Sequence, residues 1–416
     1  MIDSVTFILT EACNMRCKYC FEQEYKYQNK YMNDKTIEKT LRLLLNQDNV
    51  NEFSINLFGG EPTLNNKCIE KVIEILTNTN KNVLLTITTN LFILNKDIFR
   101  KLNILSLKSN IDIEVTVSGI LNEKYHDEDR IDANGKGTYK QTVDNLEYCL
   151  KNFENLKIGV HSVISKKNMK NITEIIDSSL NFKLKHPALY KNSFALVSVA
   201  SLKDSNDEYT KEEFKFYYED YVHRNKEKYN ICNKYIEDMY FPIIYSFDLL
   251  KNTKLTVCRA MKTEITIGTD GNISPCHRSD IGIKEKNIKT ISYGNINDVL
   301  SIEEIERNIP NIENIKDDGV KFISELNNEE CSKCSFNSMC HTCIMANYNL
   351  IGNFNYKSKG ECLRTMTMAE LTMEYERVKL MKEIKKELSE MKEKINNLGE
   401  ITTINTEALV ELLKNK

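Results

Sequence analysis

Apolar and polar positions follow two rhythms along the first half of the chain. Six short runs are rich in β-branched and apolar residues: VTFILT (5–10), FSINLFGG (53–60), VLLTITTN (83–90), IDIEVTVSG (111–119), LKIGVHSVIS (156–165) and FALVSVAS (194–201). Runs of this length and make-up predict buried strands. Between them, apolar residues return at helical spacing around 35–46, 66–79, 96–104, 138–152, 169–183 and 210–224. In the second of these, Ile69, Val72, Ile73 and Ile75 define the apolar face. Six successive β–α units predict a parallel sheet with right-handed crossovers, curled into a full or partial barrel. Chemistry in such folds gathers at the C-terminal ends of the strands.

A different rhythm closes the chain. Ile384, Leu388, Met391, Ile395 and Leu398 recur at four–three spacing with Lys and Glu between them. This predicts an amphipathic helical tail, which either packs on the barrel or serves a partner or peptide. With 416 residues there is room for two or three domains. A net charge of −3 gives no reason to expect nucleic acid as a partner. No run approaches the ~20 apolar residues of a membrane span. The opening MIDSVTFILTEAC lacks the basic region and cleavage site of a signal peptide, so a cytoplasmic location is expected. Thiols are kept reduced there, and thirteen cysteines point to metal rather than disulfides.

The stretch TEACNMRCKYCFEQ places Cys13, Cys17 and Cys20 directly after the first strand. Three thiols are one short of a closed structural zinc site, so the alternatives are a zinc loop with a distant fourth ligand or a centre with an open position. The second strand ends in FGGEP. Gly59 and Gly60 let a backbone approach a ligand closely, with Glu61 as an acceptor, or they form a tight turn before a helix.

Taken together, Cys13, Cys17, Tyr19, Cys20 and Gly59-Gly60-Glu61-Pro62 resemble the motifs of the radical S-adenosylmethionine (SAM) superfamily. The resemblance implies a partial (β/α)6 TIM-like barrel. It also implies a [4Fe–4S] cluster on the three thiolates, with SAM chelating the fourth iron and its amino group received at the glycine-rich strand end. It extends to Thr89 and Asn90 at the third strand end, to Ser118 at the fourth, and to the segment His126, Asp127 and Arg130, where Arg130 either reaches the SAM carboxylate or forms a surface ion pair. Ser118-Gly119 stands where the family often has Ser-x-Asp-Gly. The loop NGKGTY (134–139) reads as turn chemistry.

The second half carries Cys258, Gly271 and Cys276, then Cys331, Cys334, Cys340 and Cys343, then Cys362. This order resembles the SPASM extension of radical SAM enzymes, which houses two auxiliary clusters. A zinc ribbon is the plainer alternative for Cys331–Cys343. The resemblance implies Cys331, Cys334, Cys340 and Cys362 on one cluster, and Cys258, Cys276 and Cys343 on another with an open iron. Cys68 and Cys149 fall in helical patterns and read as buried small hydrophobes, leaving Cys232 outside every motif.

The expected organisation is a radical SAM barrel over 1–225, a bridging segment over 226–257, a SPASM domain over 258–363 and the tail over 364–416. The implied function is a peptide maturase forming thioethers in a Cys-containing precursor peptide. It would use three [4Fe–4S] clusters, SAM, an external donor such as flavodoxin or ferredoxin, and a separate leader-binding protein. His277, following Cys276, is either a base or an exposed loop residue. The alternatives are an anaerobic sulfatase maturase making formylglycine, and an iron–sulfur electron carrier or sensor.

Overall fold

The computed structural model describes residues 1–20, 29–196, 210–213, 239–240, 260, 262–279, 291–309, 333–334, 345 and 359–397. The strands β1 (Ser4–Ile8), β2 (Glu52–Phe58), β3 (Asn82–Thr89), β4 (Ile111–Ser118), β5 (Lys157–Ile164) and β6 (Asn192–Leu196) lie where the apolar runs predict them. The helices α1 (Asp34–Leu45), α2 (Asn66–Thr77), α3 (Lys96–Leu105), α4 (Glu123–Asp129), α5 (Tyr139–Asn152) and α6 (Ile172–Lys185) alternate with them. Of the helix expected over 210–224, residues 211–213 are helical and the rest lies outside the described residues.

The strands share one sheet in the order β7-β6-β5-β4-β3-β2-β1-β8-β9. Here β7 is Met239–Tyr240, β8 is Glu264–Ile267 and β9 is Ile273–Ser274. All neighbours are parallel except β8 and β9. The two outermost strands do not pair with each other, so the sheet is an open, partial barrel. The unforeseen feature is β8. It belongs to the second half of the chain, yet pairs in parallel with β1, Val5 opposite Ile265.

Alternation along each strand sorts the two faces of the sheet. Val5, Phe7, Ile55, Leu57, Leu85, Ile87, Ile113 and Val115 are buried in one core with Leu41, Val72 and Leu102 of the helices. Each such side chain contributes about 1.5–3 kcal/mol by leaving water. The other face carries Asn56, Thr86, Glu114 and Thr116 at the alternate positions, and Glu114 there pairs with Lys191 at 2.6 Å. Asparagines start four of the helices: Asn33, Asn65, Asn95 and Asn122 each accept from a first-turn amide of α1, α2, α3 and α4.

Beyond the sheet, α7 (Ile302–Asn308) packs into the same core through Ile302 and Ile305. The tail forms α8 (Lys359–Asn397), about 58 Å long at 1.5 Å per residue. Its proximal part is anchored, with Thr367 buried and Lys211 paired to Glu370 at 2.9 Å. Farther along, Leu380, Met381 and Met391 are 56, 52 and 47% exposed. The tail is thus anchored along its first part and open to solvent farther along.

Candidate functional site

The cysteine loop leaves β1 and passes directly over the end of β2. Gly60 N donates to Thr10 O and Glu61 N to Ala12 O, both at 2.9 Å. A Cβ on Gly60 would stand 2.4 Å from Ala12 O, and one on Gly59 would stand 2.4 Å from Thr10 O. Gly59 also has φ +131°, outside the range of other residues. The close approach expected of these glycines is thus made by the cysteine loop itself. On its other flank, Arg16 N donates to Ile131 O at 2.7 Å and Lys18 N to Asp129 O at 2.8 Å. The loop is held between the ends of β2 and α4.

Glu61 is 1% exposed and ties this end of the sheet together. Its Oε1 accepts from Thr63 N, Thr63 Oγ1 and Thr89 Oγ1 at 3.1, 2.6 and 2.7 Å, and its Oε2 from Asn90 N at 2.7 Å. Burial pushes its carboxyl above the usual range, and these donors act against that. Pro62 opens the short turn Pro62–Leu64 that follows. Asn90 then reaches back over the loop, its Nδ2 at 2.8 Å from Asn14 Oδ1 and 3.8 Å from Cys13 Sγ.

Cys13 Sγ also accepts from Met15 N at 3.4 Å. Burial pushes the Cys13 thiol up to about 12, and the fields of Glu61, Cys17 and Cys20 push the same way. A thiolate at this position needs a cation. Cys17 is buried, and Cys20 N closes a turn on Cys17 O at 3.2 Å. Among the described residues no three His, Cys, Asp or Glu side chains are placed to share one metal ion. A cluster asks something different, one thiolate on each of three irons.

Arg130 lies behind the loop, 3% exposed, which rules out the surface ion pair. Its Nη1 donates to Tyr19 Oη at 2.8 Å and Ser118 Oγ at 3.1 Å, and its Nη2 rests 3.9 Å from Met15 Sδ. Burial lifts the Tyr19 phenol to about 12 against the pull of Arg130. Among the described residues the guanidinium has only these neutral partners, and Nε has none. A buried cation with no anion is costly, so the site is built for an anion. An anionic cluster on Cys13, Cys17 and Cys20 and a carboxylate-bearing cofactor beside it fit this donor set.

His126 and Asp127 serve the scaffold. His126 is 1% exposed, its Nε2 3.1 Å from Thr138 Oγ1, and burial holds its pKa down at about 3. Asp127 Oδ1 accepts from Thr138 N and Tyr139 N at 2.8 Å and caps α5. Gly135 has the turn geometry expected, φ +79°, but Gly137 is required by packing, since its Cβ would meet Asp127 at 2.2 Å.

The second half of the chain touches this loop directly. Thr269, in the turn between β8 and β9, donates to Glu11 Oε1 at 3.0 Å. His277 packs on Phe58 with ring centroids 5.0 Å apart, so it is neither free nor on an exposed loop. Burial holds its pKa down at about 4. Cys276, 8% exposed, sits in a turn closed by Ser279 N on Cys276 O at 3.0 Å. Cys334 is half-buried, and Cys362 lies in the first turns of α8. Cys232, Cys258, Cys331, Cys340 and Cys343 lie outside the described residues. Cys68 and Cys149 are fully buried in α2 and α5, as their helical setting predicts.

Residues 7–178 match the radical SAM superfamily, and residues 258–335 match SPASM, an iron–sulfur cluster-binding domain. The chain is 24% identical over 387 residues to the radical SAM cyclopropyl synthase TigE of Paramaledivibacter caminithermalis, covering 87% of this chain and 72% of that protein. It is 30% identical over 191 residues to the uncharacterized protein MJ0907 of Methanocaldococcus jannaschii, covering 44% of this chain and only 62% of that protein. Among solved structures, native anSMEcpe with bound AdoMet and Cp18Cys peptide superposes with TM-score 0.67 at 18% identity, over 89% of this chain and 97% of the other. SuiB of Streptococcus suis bound to precursor peptide SuiA gives TM-score 0.57 at 19% identity, over 87 and 76%. At these identities the two structures establish the fold.

Proposed function

Because the chain carries a radical SAM domain followed by a SPASM domain, with the [4Fe–4S] clusters and SAM that these imply, we propose that it modifies a peptide by radical chemistry. The observation that carries this reading is the docking of the Cys276 hairpin on the catalytic loop, through Thr269 on Glu11 and His277 on Phe58. It puts a candidate auxiliary-cluster ligand beside the loop of Cys13, Cys17 and Cys20. Cys13, Cys17 and Cys20 would hold the catalytic cluster, which together with bound SAM would supply a 5′-deoxyadenosyl radical for removing a substrate hydrogen.

The chain's own residues hold the parts. Gly59, Gly60, Glu61 and Pro62 fix the cysteine loop and offer SAM their backbone, since the Glu61 side chain is engaged by Thr63, Thr89 and Asn90. Arg130, steadied by Tyr19 and Ser118, offers the SAM carboxylate its charge. His277, held by burial below the ordinary histidine range, is the proton acceptor we assign.

We infer that the product is a thioether between a substrate cysteine and a carbon; Cys258, Cys276 and Cys343 would hold an auxiliary cluster that would offer a place for the substrate thiolate. Cys331, Cys334, Cys340 and Cys362 hold the other. A second reading, a carbon–carbon ring closure, is favoured by the match to TigE over 87% of this chain. The reaction needs an external reductant such as flavodoxin or ferredoxin, and a separate protein can present the leader. A reducing cytoplasm would suit thiolate-held clusters.

The test is anaerobic turnover with candidate Cys-containing peptides, read by mass and thiol alkylation. Thioether formation removes two hydrogens and the alkylatable thiol, whereas ring closure removes two hydrogens and leaves the thiol. Formylglycine formation from cysteine removes two hydrogens, exchanges sulfur for oxygen and so also loses the thiol. Absence of SAM cleavage by the reduced, fully loaded protein would leave only an electron carrier or sensor.

A further inference from the structure

Asn90 directly follows β3 and leans over the cysteine loop, with its amide fixed from behind. Its backbone N donates to Glu61 Oε2 at 2.7 Å, and its side-chain Oδ1 accepts from Phe92 N at 2.9 Å. With Oδ1 held by its own chain, Nδ2 is the end that faces the loop. An amide nitrogen carries two hydrogens. Asn90 Nδ2 meets two acceptors, Asn14 Oδ1 at 2.8 Å and Cys13 Sγ at 3.8 Å. The residue is 7% exposed, so water competes little for either. The turn behind it is not relaxed. Leu91, at φ +53°, is the one non-glycine residue with a positive φ among the described residues. Leu91 N on Thr89 Oγ1 at 3.0 Å and Asn145 Nδ2 on Leu91 O at 2.9 Å hold it there. A branched side chain is disfavoured in that region, and such a conformation persists only where its surroundings enforce it.

A tether to Asn14 accounts for one hydrogen of the amide and leaves the other for Cys13. Met15 N already donates to the same sulfur at 3.4 Å. We propose that Asn90 donates an N–H···S hydrogen bond to the Cys13 thiolate of the catalytic cluster, and so helps to set that cluster's reduction potential. The proposal rests on Cys13, Cys17 and Cys20 holding the cluster. A hydrogen bond to an ionised acceptor is roughly twice as strong as one to a neutral acceptor. A donor on ligand sulfur stabilises the extra negative charge of the reduced state and raises the potential. Asn90 is then a positioning and tuning residue that acts through Cys13, rather than a contact of SAM.

The experiment compares anaerobically loaded wild type, Asn90→Ser, Asn90→Ala, Asn14→Ala and Cys17→Ala by iron content and by redox titration followed by electron paramagnetic resonance, before SAM is added. The catalytic cluster is the signal missing from Cys17→Ala. Both Asn90 variants should keep this cluster and lower its midpoint. At the wild-type midpoint, its reduced-to-oxidised ratio should fall about tenfold, ~59 mV for one electron. Asn14→Ala loses the tether but keeps Asn90 beside Cys13, and should titrate close to wild type. A wild-type midpoint in either loaded Asn90 variant, or an equal shift in Asn14→Ala, would overturn the proposal and leave the amide only to fasten the loop. Loss of this cluster from both Asn90 variants would overturn it too, by making Asn90 a structural prop. A full set of clusters in Cys17→Ala would instead remove the ligand assignment beneath it.

Discussion

Replacing Gly60 with alanine tests whether the glycine pair exists to seat the cysteine loop. The new Cβ would stand 2.4 Å from Ala12 O, 2.7 Å from Ala12 C and 2.9 Å from Glu11 O. All three are backbone atoms, so no side chain can swing aside. Relief requires the loop to lift by about 1 Å, given ordinary contact distances near 3.5 Å. That movement stretches Gly60 N to Thr10 O and Glu61 N to Ala12 O, both now 2.9 Å, beyond hydrogen-bonding range. Two lost backbone hydrogen bonds cost about 1–3 kcal/mol. The functional loss should be larger, because a 1 Å displacement at a reacting centre can cost about 100-fold in rate. Gly60→Ala should therefore fold, show a modestly lower denaturant midpoint, hold less iron at the catalytic centre and cleave SAM at least tenfold more slowly. Gly135→Ala is the control. Its φ of +79° is strained for alanine, but nothing lies within 4 Å of its Cβ, so stability falls slightly and cluster content does not. Wild-type iron content and SAM cleavage in Gly60→Ala would refute the clasp.

Cys17→Ala should lose one cluster and all SAM cleavage while keeping the auxiliary clusters, and deoxyadenosine formation by a well-loaded variant would contradict the assignment. Arg130→Gln should keep its iron and weaken SAM binding by tenfold or more, as expected for a lost charged hydrogen bond of about 1.5–3 kcal/mol; equilibrium dialysis showing wild-type affinity would oppose that role. His126 has a folded pKa of about 3 against an ordinary 6.5, so it adds no pH dependence above ~6.5. Below that, the unfolded chain takes the proton first and the fold loses about 1.4 kcal/mol per pH unit, roughly 2 kcal/mol by pH 5. His161 and His277, also held down by burial, act in the same direction. His126→Asn should remove its share of the slope in urea midpoints between pH 7 and pH 5, and an unchanged slope would count against a neutral buried imidazole.

The strands, most helices and the cysteine and glycine motifs are legible because each is local. A six-residue β-branched run or a Cys spacing declares itself within one turn of chain. What was not legible is nonlocal or short. The strand EITI of β8 has four residues, and its partner β1 lies at the other end of the chain. The helix α4 has seven mostly polar residues, too few for a period, yet the residues beside its end hold one flank of the cysteine loop. Glu61 was visible as an acceptor, but not the convergence of Thr63, Thr89 and Asn90 upon it. Glu11, Asn14 and Thr269 carry no motif; only the fold brings them to the site.

The parallel pairing of β8 with β1 has a consequence for biosynthesis. The strand that opens the chain presents one edge to β2 early and the other to a partner more than 250 residues downstream, with Asp3 N and Ser4 N both donating to Thr263 O at 3.1 Å. At 5–20 residues per second, the second edge waits roughly 13–50 s for its neighbour to be synthesised. Among the described residues, the backbone hydrogen bonds that clasp the loop of Cys13, Cys17 and Cys20 come from residues up to 132 and can form well before then, while the contact of Thr269 on Glu11 arrives with β8. A nascent chain can thus offer its first cluster site while a bare strand edge still invites wrong pairing. A ribosome stalled before residue 262 would expose that hazard, and chaperone capture of such a chain should end once β8 emerges.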